Sequence, residues 1–144
     1  YTDNGREYTG VEVLSWAKKV EELGAGEILL TSIDREGTGK GYDTELINLV
    51  TSQVNIPVIA HGGAGSVKHI ESAIKIGKAD AVAISSILHY GKVNFREEFS
   101  SEFQDEGNID FLAKNKSYQT FGSEDLINIK ESLSVLGIKT RITF

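Results

Sequence analysis

The chain has 144 residues, of which 40% are hydrophobic and 25% are charged, the balance of one folded domain rather than of a disordered chain. Its 21 acidic side chains outnumber the 15 Lys and Arg, and the formal net charge of −6 argues against nucleic acid as a partner, because negative charge repels phosphate backbones. Without Cys there is neither a disulfide nor a zinc–thiolate site. No apolar run approaches the roughly 18 residues that span a bilayer, and no basic segment precedes an apolar one. We therefore expect a cytoplasmic protein without a membrane partner.

The beginning of the sequence suggests a piece of a longer chain. The sequence contains no Met and opens with Tyr1-Thr2-Asp3. Removal of an initiator Met would account for this, but the elements described next favour a fragment.

Three similar units follow one another along the first 90 residues. Each consists of a β-branched apolar run, a glycine-bearing loop and a segment with helical period. The runs cover residues 26–34, 56–61 and 79–85. Because they are nearly continuous in apolar character rather than alternating, they predict strands of a parallel sheet covered on both faces.

The first two helices have recognisable ends. Thr9 and Glu12 have the spacing of a capping box before the first helix, and Gly24 follows it as a stop. Asp43 is placed to cap the second helix, whose apolar face is predicted to contain Leu46, Leu49 and Val50.

The third helix continues the alternation. Ser66 is placed to cap it, Ile70, Ala73 and Ile74 form its apolar face, and Gly77 is expected to end it in a left-handed conformation. The order α-β-α-β-α-β predicts right-handed βαβ crossovers.

The last third of the chain has a different character. From 92 to 122 it is polar and irregular, with short helical stretches at 95–103 and 109–114. Ser123 is placed to cap a final amphipathic helix with Leu126, Ile129 and Leu133, closed by Gly137, and residues 138–144 form a β-rich tail.

Three parallel strands preceded by a helix leave a sheet with two open edges. A closed (β/α)₈ barrel needs about 250 residues. We therefore expect the chain, 1–144, to be the C-terminal part of one α/β domain with the (β/α)₈ TIM-barrel fold, and a truncated doubly wound domain is the alternative.

The loops after the three runs contain groups able to hold an anion. The loop at 34–43 is not a Walker A motif, since Asp34 and Gly41 stand where that motif needs Gly and Ser or Thr. After the second run, Gly62 and Gly63 permit close approach of backbone N–H groups, just before a helix N-terminus. After the third run, Ser85 and Ser86 open a short helical turn. Two neighbouring loops of this kind predict a phosphate site, as in the last βα loops of eightfold barrels. Each loop alone is equally compatible with a tight turn.

One long motif carries a family resemblance. The segment 24–38, GAGEILLTSIDREGT, with Gly41-Tyr42-Asp43 after it, resembles the sixth strand and loop of the cyclase subunit of imidazole glycerol phosphate synthase. Residues 56–65 resemble its seventh strand and 79–89 its eighth. The similarity runs from about Tyr1 to Tyr90 and resumes near 123–141, which implies strands 6–8 with their flanking helices and a family-atypical insertion at 92–122.

The resemblance implies an activity and a partner. In this family a glutaminase subunit produces ammonia that passes through the barrel. The cyclase, a lyase of glutamine amidotransferase type in histidine biosynthesis, joins it to a phosphorylated ribulosyl-formimino-carboxamide nucleotide, giving imidazole glycerol phosphate. No cofactor or metal is implied.

The resemblance also implies roles for individual residues. One substrate phosphate would be held by a set of loop residues: Glu36, Gly37, Gly62, Gly63, Ser85 and Ser86. Thr31 and His61 would lie near this site, and Glu27 would belong to the ammonia gate at the bottom of the barrel.

Three departures from the family pattern stand out. Glu36 replaces the usual Asp, and His61 replaces the usual Ser, so that a titratable ring enters the phosphate loop. The two catalytic Asp residues of the family belong to its first and fifth strands, outside this sequence, so no residue here is assigned as catalytic.

Three hypotheses follow for the complete protein. The first is the histidine-pathway cyclase. The second is a diverged paralogue that amidates a sugar for surface polysaccharide with its own glutaminase, which Glu36, His61 and the insertion favour. The third is a non-catalytic barrel that acts as a scaffold for a glutaminase.

Overall fold

The computed structural model describes residues 1–93 and 124–141. After a short 3₁₀ turn at Asp3–Gly5 the described elements are, in chain order, α1 (Val13–Glu22), β1 (Ile28–Thr31), α2 (Thr44–Thr51), β2 (Val58–His61), α3 (Val67–Lys75), β3 (Ala81–Val82), α4 (Ser86–Val93) and α5 (Leu126–Val135). Most of the expected insertion at 92–122, both of its predicted helical stretches and the predicted cap Ser123 lie outside the described residues.

The three strands form one parallel sheet in the order β1-β2-β3, which confirms the predicted mixed α/β class. In the register, Ile28 is opposite Val58 and Thr31 is opposite His61, while Ile59 is opposite Ala81. Because the strands are parallel and in sequence order, the loops that follow them all lie at the same edge of the sheet.

Helices cover one face of the sheet. Leu30, Val58 and Ala60 point to that face and are buried; α2 packs on β2, and α3 packs on β3 and on α5. The other face carries Leu29, which is 58% exposed. The prediction of a sheet covered on both faces is therefore wrong for the described residues, which supply a helical layer for one face only.

The strands are shorter than the apolar runs that predicted them. The run at 26–34 gives the strand Ile28–Thr31, because the carbonyl oxygen of Ser32 accepts the N–H groups of Arg35 and Glu36 and the chain turns there. The runs at 56–61 and 79–85 likewise shrink to Val58–His61 and Ala81–Val82.

Two of the predicted helix caps are confirmed, and the first is assigned differently. Asp43 accepts the N–H of Leu46, and Ser66 accepts the N–H of His69. For α1, Glu12 is itself the N-cap, and its carboxylate accepts the N–H groups of Leu14 and Ser15. These hydrogen bonds stabilise the charged carboxylate and lower the pKa of Glu12.

The apolar face of α2 differs from the prediction at one position. Val50 is buried, as expected, together with Ile47. Leu49 is 44% exposed, because it falls beside the stripe that Ile47 and Val50 share on one side of the helix.

The end of α3 also differs. Gly77 does not adopt a left-handed conformation; the residue that does is Lys78, at φ +61°. Gly77 is instead needed for close packing, since a Cβ there would lie 2.6 Å from the carbonyl oxygen of Ala73 and 2.9 Å from Ile47 Cγ2. By contrast Gly24 and Gly137 follow their helices, as predicted, and both have positive φ.

The final helix is capped by Asp125, whose carboxylate accepts the N–H of Asn128. Ile129 and Leu133 are buried against the remaining core, but Leu126 is 46% exposed. Residues 138–141 form no strand, so the predicted β-rich tail is wrong over the part that is described. In the described portion of the chain, no helix has the length and apolar character required to cross a membrane.

Candidate functional site

The loops after β1, β2 and β3 meet around one cleft of about 270 Å³, part of it open to solvent. The residues that line it are Glu36, Gly37, Gly39, His61, Gly62, Gly63, Ala64, Ala83, Ile84, Ser85 and Ser86. All six residues expected to hold a phosphate belong to this lining, although they come from three separate segments of the sequence.

The first wall of the cleft is a turn after β1. The N–H groups of Arg35 and Glu36 both donate to the carbonyl oxygen of Ser32, at 3.1 and 3.0 Å. This turn brings Glu36 back toward β2, where its Oε2 would lie 3.3 Å from a Cβ placed on Gly62.

The second wall is the pair of glycines after β2. Gly62 and Gly63 have φ of +93° and +104°, a region that side chains rarely adopt. A Cβ on Gly62 would lie 2.8 Å from the carbonyl oxygen of Ser32, and a Cβ on Gly63 would collide with the carbonyl oxygen of Gly41. The Gly41 N–H donates to the Gly63 carbonyl oxygen at 2.7 Å, so the first two loops are joined directly.

The third wall is the start of α4. The Ser85 carbonyl oxygen accepts the N–H groups of Leu88 and His89, which places Ser86 in the first turn of the helix. The backbone N–H groups of a first helical turn have no partner within the helix and carry partial positive charge. The hydroxyls of Ser85 and Ser86 add two further donors to the cleft.

Several backbone donors around the cleft are unpaired. Within residues 1–93 and 124–141, the N–H groups of Gly37, Gly62, Gly63, Ser85 and Ser86 donate no hydrogen bond. Gly62 and Gly63 are buried, and buried N–H groups nearly always have a partner in folded proteins. The arrangement is therefore suited to an anion with several acceptor oxygens, such as a phosphate ester.

His61 stands at the edge of the cleft, and two side chains contact it. Its Nδ1 lies 3.0 Å from Thr31 Oγ1 and 3.4 Å from Glu36 Oε2. Thr31 does not line the cleft itself; it is the register partner of His61 on the open face of the sheet.

Two residues that sequence reasoning did not assign to the site hold its loops in place. The Tyr42 hydroxyl donates to the Ala83 carbonyl oxygen at 3.0 Å, and burial raises the pKa of Tyr42. His69 Nδ1 accepts the N–H of Gly65 at 3.2 Å, and burial lowers the pKa of His69, which favours the neutral ring that this contact needs. Tyr42 belongs to the Gly-Tyr-Asp segment already noted in the sequence, but nothing in the pattern pairs it with β3.

Glu27 lies apart from the cleft. It immediately precedes β1 and is exposed, so it stands at the N-terminal end of the strands, opposite the loops that form the cleft. Among the described residues, no cluster of three or more His, Asp or Glu side chains is arranged to hold a metal ion.

Comparison with known proteins identifies relatives of this chain. The family model described as "Histidine biosynthesis protein" matches residues 1–94. Three similar curated proteins are each named imidazole glycerol phosphate synthase subunit HisF. The one from Trichormus variabilis is 53% identical over 97 residues, the one from Prochlorococcus marinus is 57% identical over 97 residues, and the one from Pyrobaculum aerophilum is 61% identical over 90 residues.

The aligned part is a fraction of each relative. It covers 67% of this chain and 38% of the protein from Trichormus variabilis, and 62% of this chain and 35% of the protein from Pyrobaculum aerophilum. The aligned part therefore spans well under half the length of the relatives that the chain matches. The family match ends at residue 94, so the renewed similarity expected at 123–141 stays a prediction.

Proposed function

The chain belongs to the histidine biosynthesis protein family, and on that premise we propose that it forms the phosphate-binding part of a (β/α)₈ barrel cyclase. The proposed enzyme is imidazole glycerol phosphate synthase, with this chain as the C-terminal portion of its cyclase subunit. It uses ammonia from a glutaminase partner to convert a phosphoribulosyl-formimino-carboxamide nucleotide to imidazole glycerol phosphate.

The open face of the sheet supports the barrel. Leu29 is 58% exposed on that face, and Thr31 and His61 are beside it on the same side of the register. In a closed barrel these side chains would face the interior, and the buried side chains Leu30, Val58 and Ala60 would face the surrounding helices.

One observation carries the proposed phosphate site. The loops after three consecutive parallel strands bring unpaired N–H groups and two serine hydroxyls to a single cleft. Polar loops at the C-terminal edge of the strands are the usual location of substrate sites in barrel enzymes. The phosphate of a sugar phosphate accepts several hydrogen bonds at once, so it matches a cleft with several unpaired donors.

The proposal divides the chemistry between this chain and the rest of the barrel. Gly37, Gly62, Gly63, Ser85 and Ser86 fix one end of the substrate, and such fixation contributes to catalysis by holding the reacting groups in place. Glu27, at the opposite end of β1, is proposed as part of the ammonia entrance. The general acid and base are two Asp residues of the complete barrel, on strands outside this chain.

The phosphate site is tested by nuclear magnetic resonance with inorganic phosphate as the probe. We expect the amide signals of Gly62, Gly63, Ser85 and Ser86 to shift together and to saturate, because these N–H groups gain acceptors. Amides near Glu27, at the other edge of the sheet, serve as the internal control and stay in place. Shifts spread evenly over the surface, or none at the cleft, would overturn the proposal.

The reaction is tested with the complete protein. Given the ribulosyl nucleotide and ammonia, it is expected to form imidazole glycerol phosphate, and the Gly63→Ala variant to lose this activity. Absence of turnover with a correctly folded protein would reject the histidine-pathway cyclase.

A second candidate function has one observation in its favour. His61 occupies a position where the family has Ser, and it pairs with Glu36, which replaces Asp. These substitutions change the surroundings of the phosphate and favour a paralogue that amidates a sugar substrate with its own glutaminase. Turnover of a glycosyl substrate in place of the ribulosyl nucleotide would assign the protein to that branch.

A further inference from the structure

His61 and Glu36 give the cleft an unusual charge arrangement. Among the described residues that line it, His61 is the only side chain able to become positive, and Glu36 is the only negative one. A carboxylate beside a bound dianion repels it unless a positive group lies between or beside them. A positive group beside Glu36 is therefore expected to strengthen phosphate binding in this cleft.

Two contacts of His61 place its ring where it can balance the charge of Glu36. Thr31 Oγ1, at 3.0 Å, and Glu36 Oε2, at 3.4 Å, both approach the same ring nitrogen, Nδ1. An ionised carboxylate only accepts hydrogen bonds, so its contact with Nδ1 is attractive when Nδ1 carries the proton.

The protonation of the second ring nitrogen, Nε2, then determines whether His61 donates a hydrogen bond to a ligand or accepts one. With the proton on Nδ1, a neutral ring presents a lone pair at Nε2, and only the imidazolium has an N–H there. Nε2 of His61 has no hydrogen-bond partner within residues 1–93 and 124–141. It is thus available to a ligand as a donor in the charged state, and as an acceptor in the neutral tautomer whose proton is on Nδ1.

Arg35 is a second cation beside the cleft, since its Cβ would lie 3.0 Å from a Cβ placed on Gly63. Arginine stays charged at every pH of interest, so Arg35 adds a constant contribution to anion binding. Among the described residues, Asp34 and Lys40 on the same loop are exposed and form no ion pair with His61. The lining residues from the loop after β2 and from the start of α4 are uncharged. On α3, His69 is directed to the Gly65 N–H.

Resting on the proposed phosphate site, we propose that His61 is a proton-dependent phosphate ligand, with Thr31 and Glu36 as the residues that position its ring. The chain takes up one proton from solvent at Nε2 of His61 together with the phosphate monoester. The imidazolium then donates to a phosphate oxygen through Nε2 and offsets the charge of Glu36 through Nδ1.

Sulfate is the probe that isolates the contribution of the protein. It stays a dianion over the pH range in which the charge of phosphate changes, so a change in its affinity with pH comes from the protein. We expect the sulfate affinity of the full chain to fall by about tenfold or more between about pH 5.5 and pH 8.5, since a charge-assisted hydrogen bond is lost. The affinity and the location are both read from the amide shifts of Gly62, Gly63, Ser85 and Ser86.

Two variants separate the charge of the ring from its bulk. His61→Ser leaves Glu36 facing the anion without a balancing charge, so at low pH it binds sulfate more weakly than the parent chain, and its affinity no longer depends on pH. The double variant His61→Ser with Glu36→Gln removes the repulsion as well, so affinity recovers relative to His61→Ser while the pH dependence stays absent. Glu131→Gln makes the same change of charge at an exposed position of α5 that does not line the cleft, and it leaves both affinity and pH dependence as in the parent chain.

The outcomes distinguish this proposal from the phosphate site on which it rests. Equal sulfate affinity across the pH range, with shifts at the cleft amides, overturns the role of His61 and leaves the site intact. Pronounced pH dependence that persists in His61→Ser also overturns it, because another group is then responsible. A folded chain whose cleft amides respond to sulfate at no pH overturns the phosphate site itself.

Discussion

The hydroxyl of Tyr42 donates a hydrogen bond of 3.0 Å to the carbonyl oxygen of Ala83, and this contact joins residues that are 41 positions apart in the chain. Tyr42 is buried and lies at the end of the loop after β1, while Ala83 follows β3. The hydrogen bond therefore joins the loop after β1 to the segment after β3. The glycine loop after β2 lies between these two segments.

Replacement of Tyr42 by Phe removes this hydrogen bond and leaves the carbonyl group of Ala83 without its donor. We expect the free energy of unfolding to fall by about 1–2 kcal/mol, the cost of an unsatisfied polar group. We also expect weaker sulfate binding, because Ser85 and Ser86 follow Ala83 directly. Urea denaturation and sulfate titration of the same preparation measure both effects, and a variant as stable as the parent would contradict the role given to this contact.

Tyr42 also makes stability depend on alkaline pH. Burial raises the pKa of Tyr42, so in the range where an unfolded Tyr ionises the folded chain keeps its proton. Ionisation then favours the unfolded state, and stability is lost as the pH rises above about 10. The slope of the unfolding free energy against pH in that range is expected to be smaller in Tyr42→Phe than in the parent, and identical slopes would show that Tyr42 contributes nothing to it.

Gly63 is predicted to be the position in the cleft least tolerant of a side chain. Gly63→Ala combines a positive φ with a collision against the Gly41 carbonyl oxygen, and we expect it to cost about 3 kcal/mol of stability. Gly137 has φ +77° with open space around it, so Gly137→Ala is expected to cost about 1 kcal/mol.

Gly26→Ala completes this comparison. Gly26 has neither a positive φ nor a neighbour within 4 Å of an added Cβ, so its replacement is expected to be close to neutral, within about 0.5 kcal/mol. Thermal unfolding of the three variants gives the order, and a Gly63→Ala chain as stable as Gly137→Ala would show that the loop can move away from Gly41.

His69 is expected to weaken the fold in mild acid. Burial lowers the pKa of His69, and its neutral Nδ1 accepts the Gly65 N–H. An unfolded His takes up a proton at higher pH than this one, so the stabilisation is present above about pH 6.5 and is lost as the pH falls below it. His69→Gln retains an acceptor but does not titrate, so its stability is expected to change less between about pH 7 and pH 5. Parallel acid slopes for the variant and the parent, measured by urea denaturation, would argue against this assignment.

Asp80 supports the sheet at the edge away from the cleft. Its Oδ2 accepts the N–H of Val58 at 2.9 Å, where β2 begins. Asp80→Ala leaves that N–H without a partner and is expected to cost about 1–2 kcal/mol, whereas Asp80→Asn keeps an acceptor and costs less. Sulfate binding is expected to be unaffected in both, because the cleft lies at the other end of the strands; equal stability of the two variants would show that the acceptor does not matter.

The local elements could be predicted because each has a short-range cause. Asp43 and Ser66 each accept an N–H group three residues further along, and this spacing is visible in the sequence. The lengths of the strands could not be predicted equally well. The residues that flank a strand can belong to turns even when the sequence pattern includes them in the strand. Ser32 is an example: it lies inside the segment 26–34 that predicted the strand, but its carbonyl oxygen accepts the N–H groups of a turn.

The residues of the cleft could be anticipated in part. Glycines and serines directly after predicted parallel strands point to one edge of a sheet, and the family resemblance assigned them to one phosphate. Gly39 and Ile84 also line the cleft, but nothing in the sequence distinguishes them from ordinary loop residues. The pairing of His61 with Glu36 across two loops was not foreseen either, since a contact between residues 25 positions apart has no local signal.

The sequence by itself determined the alternation of strands and helices, the caps Asp43 and Ser66 of two helices, and the family, because hydrophobic period, capping side chains and an uninterrupted motif are all short-range properties. Only the tertiary structure decided which face of the sheet is covered, that Gly77 is required for packing rather than for a left-handed turn, and that Nδ1 of His61 is held by both Thr31 and Glu36. These features depend on distances between separate segments, and those distances are fixed only when the strands adopt a common register.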